Sequence, residues 1–380
     1  MTVNQIASLM NSVTNEILGK SDIVKEDLSN VVDIGTEIFS ASAVDNYVKT
    51  LVNRIGRTIF VNRPYAGKVP SVLMDGWEYG SVLQKIQADI PEATVNDTWQ
   101  LEDKKSYDPN IFYKPTVSAK FFNNKVTFEV PLSFTELQVK QSFNGAEELN
   151  AFLSMLYNSV EKSMTVKIDA LIMRTINNFS AQVYSATASP RCVNLLAGYN
   201  AMSGETLTAD KSLTNPSFLR YASMQIALYA DRLATMSSLF NAGGKARFTP
   251  RDMLKIVMLS DLAQGAAIYL ESDTFHNELV KLPNAETVPY WQASGQAFDF
   301  ASISQVQVTT QGDGAGKDVT INGLLAVMFD RDALGVANLD RRVTTNYNPK
   351  AEFFNNWYKF DAGYFNDLNE NFVLFYAASA

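Results

Sequence analysis

The sequence predicts an α+β protein in which one very long helix is combined with several paired strands. An apolar stripe from Gly145 to Phe179, uninterrupted by proline, predicts a helix of about 50 Å. Apolar and polar residues alternate in segments 82–90 and 117–130, which is typical of half-buried strands. The segment Thr344–Tyr376 is crowded with aromatic rings and has no His, Cys or glycine-rich phosphate loop. This last segment predicts a packing surface without catalytic chemistry.

Composition indicates a folded protein of two or three packing units. Hydrophobic residues make up 46% of the 380 residues and charged residues 19%. The 32 Lys and Arg against 40 Asp and Glu give a net charge of −8, which opposes binding of a polyanion through a broad basic surface. Cys192 is the single cysteine, so no intramolecular disulfide can form, and we expect it to be buried as a small hydrophobic residue.

No targeting signal is visible in the sequence. The N-terminus lacks the basic patch and apolar run of a secretory signal, and no window approaches about 18 consecutive apolar residues. We therefore expect a soluble protein that is made in the cytoplasm.

The first sixty residues predict amphipathic helices. One stripe ends at Gly19 and a second follows in segment 44–55. The stripe residues are Ile6, Leu9, Met10, Val13 and Ile17, then Val44, Val48, Leu51, Val52 and Ile55. These faces could cover the core of the same chain or pack on a neighbouring subunit, and the sequence leaves both open.

Segment 77–131 predicts a long excursion of paired strands. Alternation through Val82, Ile86, Ala88 and Ile90 is followed by the polar stretch Pro91–Asn110. It resumes at Val117, Ala119 and Phe121, and again at Val126, Phe128 and Val130. Asn123-Asn124 between the last two runs predicts a tight hairpin turn. The polar stretch, with Glu102, Asp103, Lys104 and Lys105, predicts a projecting solvated tip.

The long helix is preceded by two predicted capping boxes, Ser133 with Glu136 and Asn144 with Glu147. Its stripe comprises Leu149, Phe152, Leu153, Leu156, Val160, Met164, Ile168, Leu171, Ile172 and Ile176. A coiled coil is the alternative, but the stripe widens at 152/153 and 171/172, which favours a helix lying on a sheet.

The second half of the chain predicts a mixed unit of helices and strands. Residues 185–217 are rich in loop-forming residues, including Pro190, Gly198, Gly204 and Pro216. The elements predicted after them are a helix opening at Asn215-Pro216, a buried strand Leu254–Leu259, a helix from Ser260 to about Leu270, paired strands Ile303–Val308 and Val319–Phe329 around the turn Gly312–Lys317, and a closing strand Phe372–Tyr376.

Asp330–Gly335 (DRDALG), followed by the aromatic run from Tyr347-Asn348-Pro349 to Asn371, resembles the C-terminal end of tailed-bacteriophage major capsid proteins of the HK97-like fold. The resemblance covers the chain from about residue 60 onward and implies the following division. An N-terminal helical arm takes residues 1–60, an extended loop with flanking strands 61–131, a peripheral domain with a spine helix 132–190, an axial domain 191–340, and a return to the peripheral domain 341–380.

The resemblance implies a major head protein that self-assembles, as pentamers and hexamers, into the icosahedral shell around a phage genome. Expected partners are portal, scaffolding or decoration proteins and non-specifically packaged DNA, with no membrane. The virion would be its location and the host cytoplasm its place of assembly. Residues 1–60 could be an internal scaffold or a retained arm. The alternatives are an encapsulin-type bacterial compartment shell, or a soluble hydrolase that uses Asp330, Asp332 or His276.

The candidates for catalytic chemistry are few. His276 is the only histidine, which excludes a two-His metal site, and GDGAGKD (312–318) lacks the first Gly and the Ser or Thr of a phosphate-binding loop. Asp330 and Asp332 flank Arg331, and we favour structural ion pairs over a carboxylate site.

Arg341-Arg342 beside the aromatic run could suggest a nucleic-acid surface, but four carboxylates lie among them: Glu352, Asp361, Asp367 and Glu370. We expect core or interface packing there, with Trp357 and Phe365 in a core or at a subunit seam. The sequence therefore predicts no enzyme, and no catalytic, cofactor-binding or metal-binding residues.

Overall fold

The computed structural model confirms an α+β protein built on two larger sheets and one long helix. The structure describes residues 3–19, 23–40, 69–74, 83–88, 110–142, 145–184, 189–271, 285–291, 306–310 and 317–378, with a few single positions between 50 and 106. The predicted helix at 44–55, His276 and the turn residues 312–316 lie outside the described residues.

The helices of the described residues are numbered in chain order. They are α1 Val3–Leu18, α2 Val31–Ser40, α3 Glu136–Ser142, α4 Ala146–Val183, α5 Leu195–Ser203, α6 Ala209–Ser212, α7 Pro216–Leu233 and α8 Ser260–Glu271. A single 3-10 turn, Pro70–Val72, precedes the first strand.

The strands of the described residues form four sheets. They are β1 Leu73–Met74, β2 Leu83–Ala88, β3 Val117–Phe122, β4 Lys125–Thr135, β5 Cys192–Asn194, β6 Leu254–Leu259, β7 Glu286–Val288, β8 Val306–Thr310, β9 Lys317–Ile321, β10 Leu324–Asp330, β11 Leu334–Asn348, β12 Phe353–Asn366 and β13 Phe372–Tyr376. The sheet orders are β1-β11-β12-β4, β5-β13-β10-β6-β7, β2-β3 and β8-β9.

The aromatic run forms the centre of the four-stranded sheet. Strand β12 pairs antiparallel with β11 on one side and with β4 on the other. Alternate side chains of β12 are buried, among them Phe354, Tyr358 and Phe360, and Phe365 near the end of the strand is buried too. Trp357 points to the opposite side of the strand and is half-buried. The predicted core packing of the aromatic run is therefore confirmed, with Phe365 more deeply buried than Trp357.

Helix α4, the spine helix, contacts this sheet along β4, β11 and β12. It has 38 residues, so it continues past the predicted end at Phe179 to Val183. The predicted apolar stripe is its buried face, as shown by Leu156, Ile168 and Ile176. A helix that lies on a sheet, and not a coiled coil, is thus confirmed.

The five-stranded sheet is centred on β10, of which every residue is buried. β10 pairs antiparallel with β6 and β13, which match the predicted strands Leu254–Leu259 and Phe372–Tyr376. The predicted strand Val319–Phe329 is wrong as one element, since Asn322 and Gly323 divide it into β9 and β10. Gly323 has φ +67°, a conformation that interrupts a strand.

Two other predictions near the arm are wrong. Asn123-Asn124 does not close a hairpin, because β3 pairs with β2 whereas β4 pairs with β12, and neither Asn has a positive φ. The capping box of α3 is formed by Thr135 and Gln138, whose side chains bond each other's backbone N–H at 3.2 and 2.9 Å.

The predicted capping residues therefore have other roles. The Ser133 hydroxyl donates to Asn355 Oδ1, and Glu136 accepts from the Tyr347 hydroxyl. Helix α4 is capped by Gly145 without a side-chain bond, and Asn144 lies outside the described residues.

The loop-rich interpretation of 185–217 misses two helices, α5 and α6. Asn194 caps α5 by accepting from Ala197 N–H, and Gly204 ends it at φ +72°. Gly198 lies inside α5, where a Cβ would be 2.4 Å from the Tyr221 hydroxyl, so this glycine serves packing and not a turn. The predicted start of α7 at Asn215-Pro216 is confirmed, as is α1 with its buried Ile6 and Met10.

Candidate assembly surface on the extended arm

The strands β2 and β3 form the described part of an arm, and we use the word arm for these two strands and the described residues 110–116 that lead into β3. The two strands pair antiparallel from Leu83 with Phe122 to Ala88 with Val117. This confirms the predicted pairing across a long excursion. Because side chains alternate along both strands, the arm has an outer face and an inner face of different character.

The outer face of the arm is apolar and exposed to solvent. Ile86, Val117 and Phe121 are 65%, 57% and 63% exposed, and they share this face with Ala88, Ala119 and one polar residue, Gln84. The residues that lead into β3 continue the apolar character, since Ile111, Phe112 and Tyr113 are all exposed. Exposed apolar surface of this extent is typical of an interaction site.

The inner face of the arm is polar and is bound to the body of the protein. We call Lys85, Lys120, Arg247, Asp367 and Glu370 the anchor cluster. Lys85 Nζ lies 2.9 Å from Asp367 Oδ2 and 2.7 Å from Glu370 Oε1, and Lys120 Nζ lies 2.8 Å from Asp367 Oδ1. Arg247 Nε lies 3.7 Å from Glu370 Oε1. The cluster joins both arm strands to the turn after β12.

Further contacts complete the attachment of the inner face. Gln87 donates to Glu370 Oε1 at 2.7 Å and accepts from Arg247 Nη2 at 2.7 Å. Lys85 also donates to the backbone carbonyl of Asp332 at 3.1 Å. At the base of the arm the Phe122 ring lies 5.1 Å from that of Phe365.

The cluster stabilises ionised carboxylates inside the protein. The Asp367 side chain is 0% exposed, and burial alone would raise its pKa. Hydrogen bonds from Lys120 and Lys85, the charge of Lys85 and the Asn369 N–H outweigh burial, so the pKa of Asp367 is lowered from 3.8. Asp367 is therefore a carboxylate at neutral pH.

The sequence pattern did not single out these anchor residues. In the sequence, Lys85 and Gln87 are polar residues between the apolar residues of an alternating run. Asp367 and Glu370 are charged residues among aromatic ones. Their ordered alternation was the available signal, because polar residues at every second position predict a polar face. The contacts of the two arm lysines with Asp367 and Glu370 join residues more than 240 positions apart.

The fold agrees with comparisons to known proteins. The model of the family described as Phi29-like phage major capsid protein matches residues 10–376. The chain belongs to this family. It is therefore a structural protein of the phage virion that self-assembles into the capsid shell, as predicted, and the compartment shell and the soluble hydrolase are not favoured. A comparison with curated protein sequences found no match.

Solved structures agree with this assignment at the level of the fold. The chain is similar to one in the capsid structure of Staphylococcus phage Andhra, with a TM-score of 0.55 and 9% identity over 84% of this chain and 86% of that one. A chain in the structure of the head fiber and inner core protein gp22 of native bacteriophage P68 gives a TM-score of 0.52 and 10% identity, over 83% and 86%. The predicted HK97-like capsid fold is confirmed.

In this capsid protein the acidic pair around Arg331 is divided between separate contacts. Asp330 is buried, accepts from the Thr249 hydroxyl at 2.7 Å and accepts from the Asp332 N–H at 2.9 Å. Arg331 is exposed, and among the described residues its side chain forms no ion pair with either Asp. Asp330 is thus held by hydrogen bonds, and the ion pairs of Arg331 that we favoured do not form with either carboxylate among the described residues.

Arg342 is neutralised by a carboxylate of the adjacent strand. Its Nη1 lies 2.9 Å from Asp361 Oδ2, and Thr127 donates to Asp361 Oδ1 at 2.6 Å. Burial would raise the pKa of Asp361, but the Arg342 and Thr127 hydrogen bonds and the charges of Arg342 and Lys125 lower it. The Arg342 side chain is thus paired within the sheet. This favours a role in packing of the sheet over a role in a nucleic-acid-binding surface.

Of the remaining candidates, Cys192 is described by the structure and His276 lies outside the described residues. Cys192 is buried as predicted, and its Sγ lies 3.2 Å from the Val183 carbonyl oxygen. Within the described ranges, no group of three or more His, Cys, Asp or Glu side chains could hold a metal ion. None of the helices in the same ranges combines the length and apolarity needed to cross a membrane.

Proposed function

We propose that the arm binds a neighbouring copy of this capsid protein through its apolar outer face, within the rings of five and six copies that build the icosahedral shell. The single observation that supports this is the exposure of Ile86, Val117 and Phe121 on one face of the arm. Each large apolar side chain transferred from water into an interface contributes about 1.5–3 kcal/mol.

The geometry of the arm supports a second copy as the occupant. A two-stranded sheet is only marginally stable alone in water and needs another layer against its apolar face. The inner face already contacts the body through the anchor cluster, so the outer face is the one left for a neighbour. In a shell every copy carries the same arm and the same binding surface for the arm of a neighbour. The contact can therefore repeat around a closed lattice.

The division of the chain stays the one proposed from the sequence. The spine helix and β12 lie in the proposed peripheral domain, 132–190 and 341–380, and most strands of the five-stranded sheet lie in the proposed axial domain, 191–340. Strand β13 departs from this division, because it pairs with β10 and β5 of the five-stranded sheet. Residues 1–60 form the N-terminal arm and 61–131 contain the extended loop. The axial domains would meet around the symmetry axes.

The remaining partners are proposed on general grounds. A shell that fills with DNA needs a portal, and scaffolding or decoration proteins commonly act on such shells. A net charge of −8 suits a wall that holds packaged DNA without binding it specifically. Assembly would take place in the host cytoplasm, and the protein would act mechanically and not as an enzyme.

Phe121→Asp is the test of arm binding. Because the ring is 63% exposed in the single chain, the variant should keep the thermal stability of the unassembled protein. It should raise the concentration needed for assembly at least about tenfold, because a charge would enter an apolar interface. Sedimentation velocity and negative-stain microscopy of purified protein measure both shells and free subunits.

Phe121→Leu is the matched control, because it keeps an apolar side chain at the same position and should assemble close to the native concentration. Normal shells from Phe121→Asp would contradict the proposed role of the outer face. A pure protein that forms only small oligomers under all conditions would contradict assembly by this chain alone.

A further inference from the structure

The arm contains a pair of like charges that should separate its own strands. Lys85 of β2 and Lys120 of β3 are direct cross-strand partners on the inner face. Like charges opposite each other in an antiparallel pair are destabilising. Nothing within the pairing itself offsets this, since the adjacent pairs on that face are Leu83 with Phe122 and Gln87 with Ser118.

Asp367 lies between the two ammonium groups. Its Oδ1 is 2.8 Å from Lys120 Nζ and its Oδ2 is 2.9 Å from Lys85 Nζ, so one carboxylate bridges both arm strands. Its side chain is wholly buried, which makes the interaction stronger than an exposed ion pair. The other charged groups of the cluster are Glu370, on Lys85, and Arg247, on Gln87 and Glu370.

The turn that carries Asp367 is held firmly by the body. Asp367 N–H donates to the Ala333 carbonyl at 2.7 Å, and Gly243 N–H donates to the Leu368 carbonyl at 2.9 Å. Phe372 N–H donates to the Phe240 carbonyl at 2.9 Å. The carboxylate of Asp367 is therefore held in a fixed position on the body, and the arm strands bind to it there.

We propose that Asp367 is an electrostatic latch that holds β2 and β3 together and fixes the direction of the arm on the body. With the latch closed, the two lysines are attracted to a common carboxylate. With the carboxylate neutralised, the lysines repel each other and the strand pair opens from its base. This is a property of the single chain and does not depend on how the outer face binds a neighbour.

Asp367→Asn tests the latch in the full-length, unassembled protein. The amide oxygen can still accept the Asn369 N–H that Asp367 Oδ1 accepts at 3.1 Å, so the turn is preserved. Amide hydrogen exchange in peptides from β2 and β3 should become about tenfold faster or more, because charge-assisted hydrogen bonds are lost. Exchange in β11 and β13 should change much less, because the lost contacts are those of the arm strands.

The double variant Asp367→Asn with Lys120→Met gives the decisive result. Removing one lysine removes the repulsion, so exchange in β2 and β3 should slow again toward the native rate. A merely structural role for Asp367 in its turn predicts no such rescue. Absence of rescue, or native exchange in Asp367→Asn itself, would overturn the proposal.

Lys120→Met alone keeps the proposal testable if Asp367→Asn does not fold. It removes the contact that holds β3 to Asp367, so exchange in β3 should become faster, whereas the same substitution slows exchange in the Asp367→Asn background. Unchanged exchange in Lys120→Met would overturn the latch. Glu129→Gln is the control for loss of an ordinary ion pair, since Glu129 lies 3.4 Å from Lys359 at the surface. It should leave arm exchange unchanged.

Discussion

At the scale of single residues, Gly323 determines where β10 of the five-stranded sheet begins. It has φ +67°, and a Cβ placed on it would lie 2.1 Å from the Ala377 carbonyl oxygen. Ala377 N–H donates to the Gly323 carbonyl at 2.8 Å. The residue thus joins the start of β10 to the chain after β13, and both its conformation and its lack of a side chain are needed.

Gly323→Ala should lower the free energy of unfolding by about 2–5 kcal/mol, since it combines a left-handed conformation with a backbone clash. Gly204→Ala is the matched control, because Gly204 has φ +72° but nothing within 4 Å of the added Cβ. It should cost only about 1–2 kcal/mol. Urea unfolding of the unassembled protein measures both, and equal losses would contradict the proposed clash.

At the scale of elements, the segments with the strongest periodic patterns were predicted correctly. The spine helix, β6, α8 and β13 each carry a long stripe or a continuous apolar run, so local sequence determines them. Helix α5 was missed because Gly198 reads as a loop signal, although it serves the approach of Tyr221. The glycine is a tertiary feature that no local pattern reveals.

Strand partners were harder to predict than strands. The runs on either side of Asn123-Asn124 are both strands, yet β4 pairs with β12, more than 200 positions later. A turn signal between two alternating runs does not say whether the runs pair with each other. For the same reason the anchor cluster was not predicted, because Lys85 and Asp367 are far apart in the sequence and are brought together only by the tertiary fold.

The buried face of the spine helix provides an element-scale prediction. Ile176 is wholly buried in the core, so Ile176→Ala should lower the free energy of unfolding by about 2–5 kcal/mol through lost burial and a cavity. Val166 on the same helix is 53% exposed, and Val166→Ala should change the free energy of unfolding by less than about 0.5 kcal/mol. Similar losses in chemical unfolding would contradict the assignment of the two faces.

At the scale of the whole molecule, the turn from Asp367 to Asn371 connects the main parts of the subunit. It leads from β12 of the four-stranded sheet to β13 of the five-stranded sheet, and it holds the arm through Asp367 and Glu370. Asn371 contacts Thr249, which in turn holds Asp330. A change of charge at this turn therefore reaches the arm and both sheets, which makes it the natural point for an effect of pH.

Acid should weaken the subunit through Asp367. Because the folded pKa of Asp367 is lowered below 3.8, its contribution is complete above that value and is lost as the pH falls through the lowered one. The melting temperatures of the native chain and Asp367→Asn should therefore differ most near neutral pH and approach each other as the pH falls below 3.8. Asp231→Asn changes an exposed partner of Arg251 and should show only a small difference throughout. A gap for Asp367→Asn that stays constant with pH would mean that its carboxylate charge does not stabilise the fold.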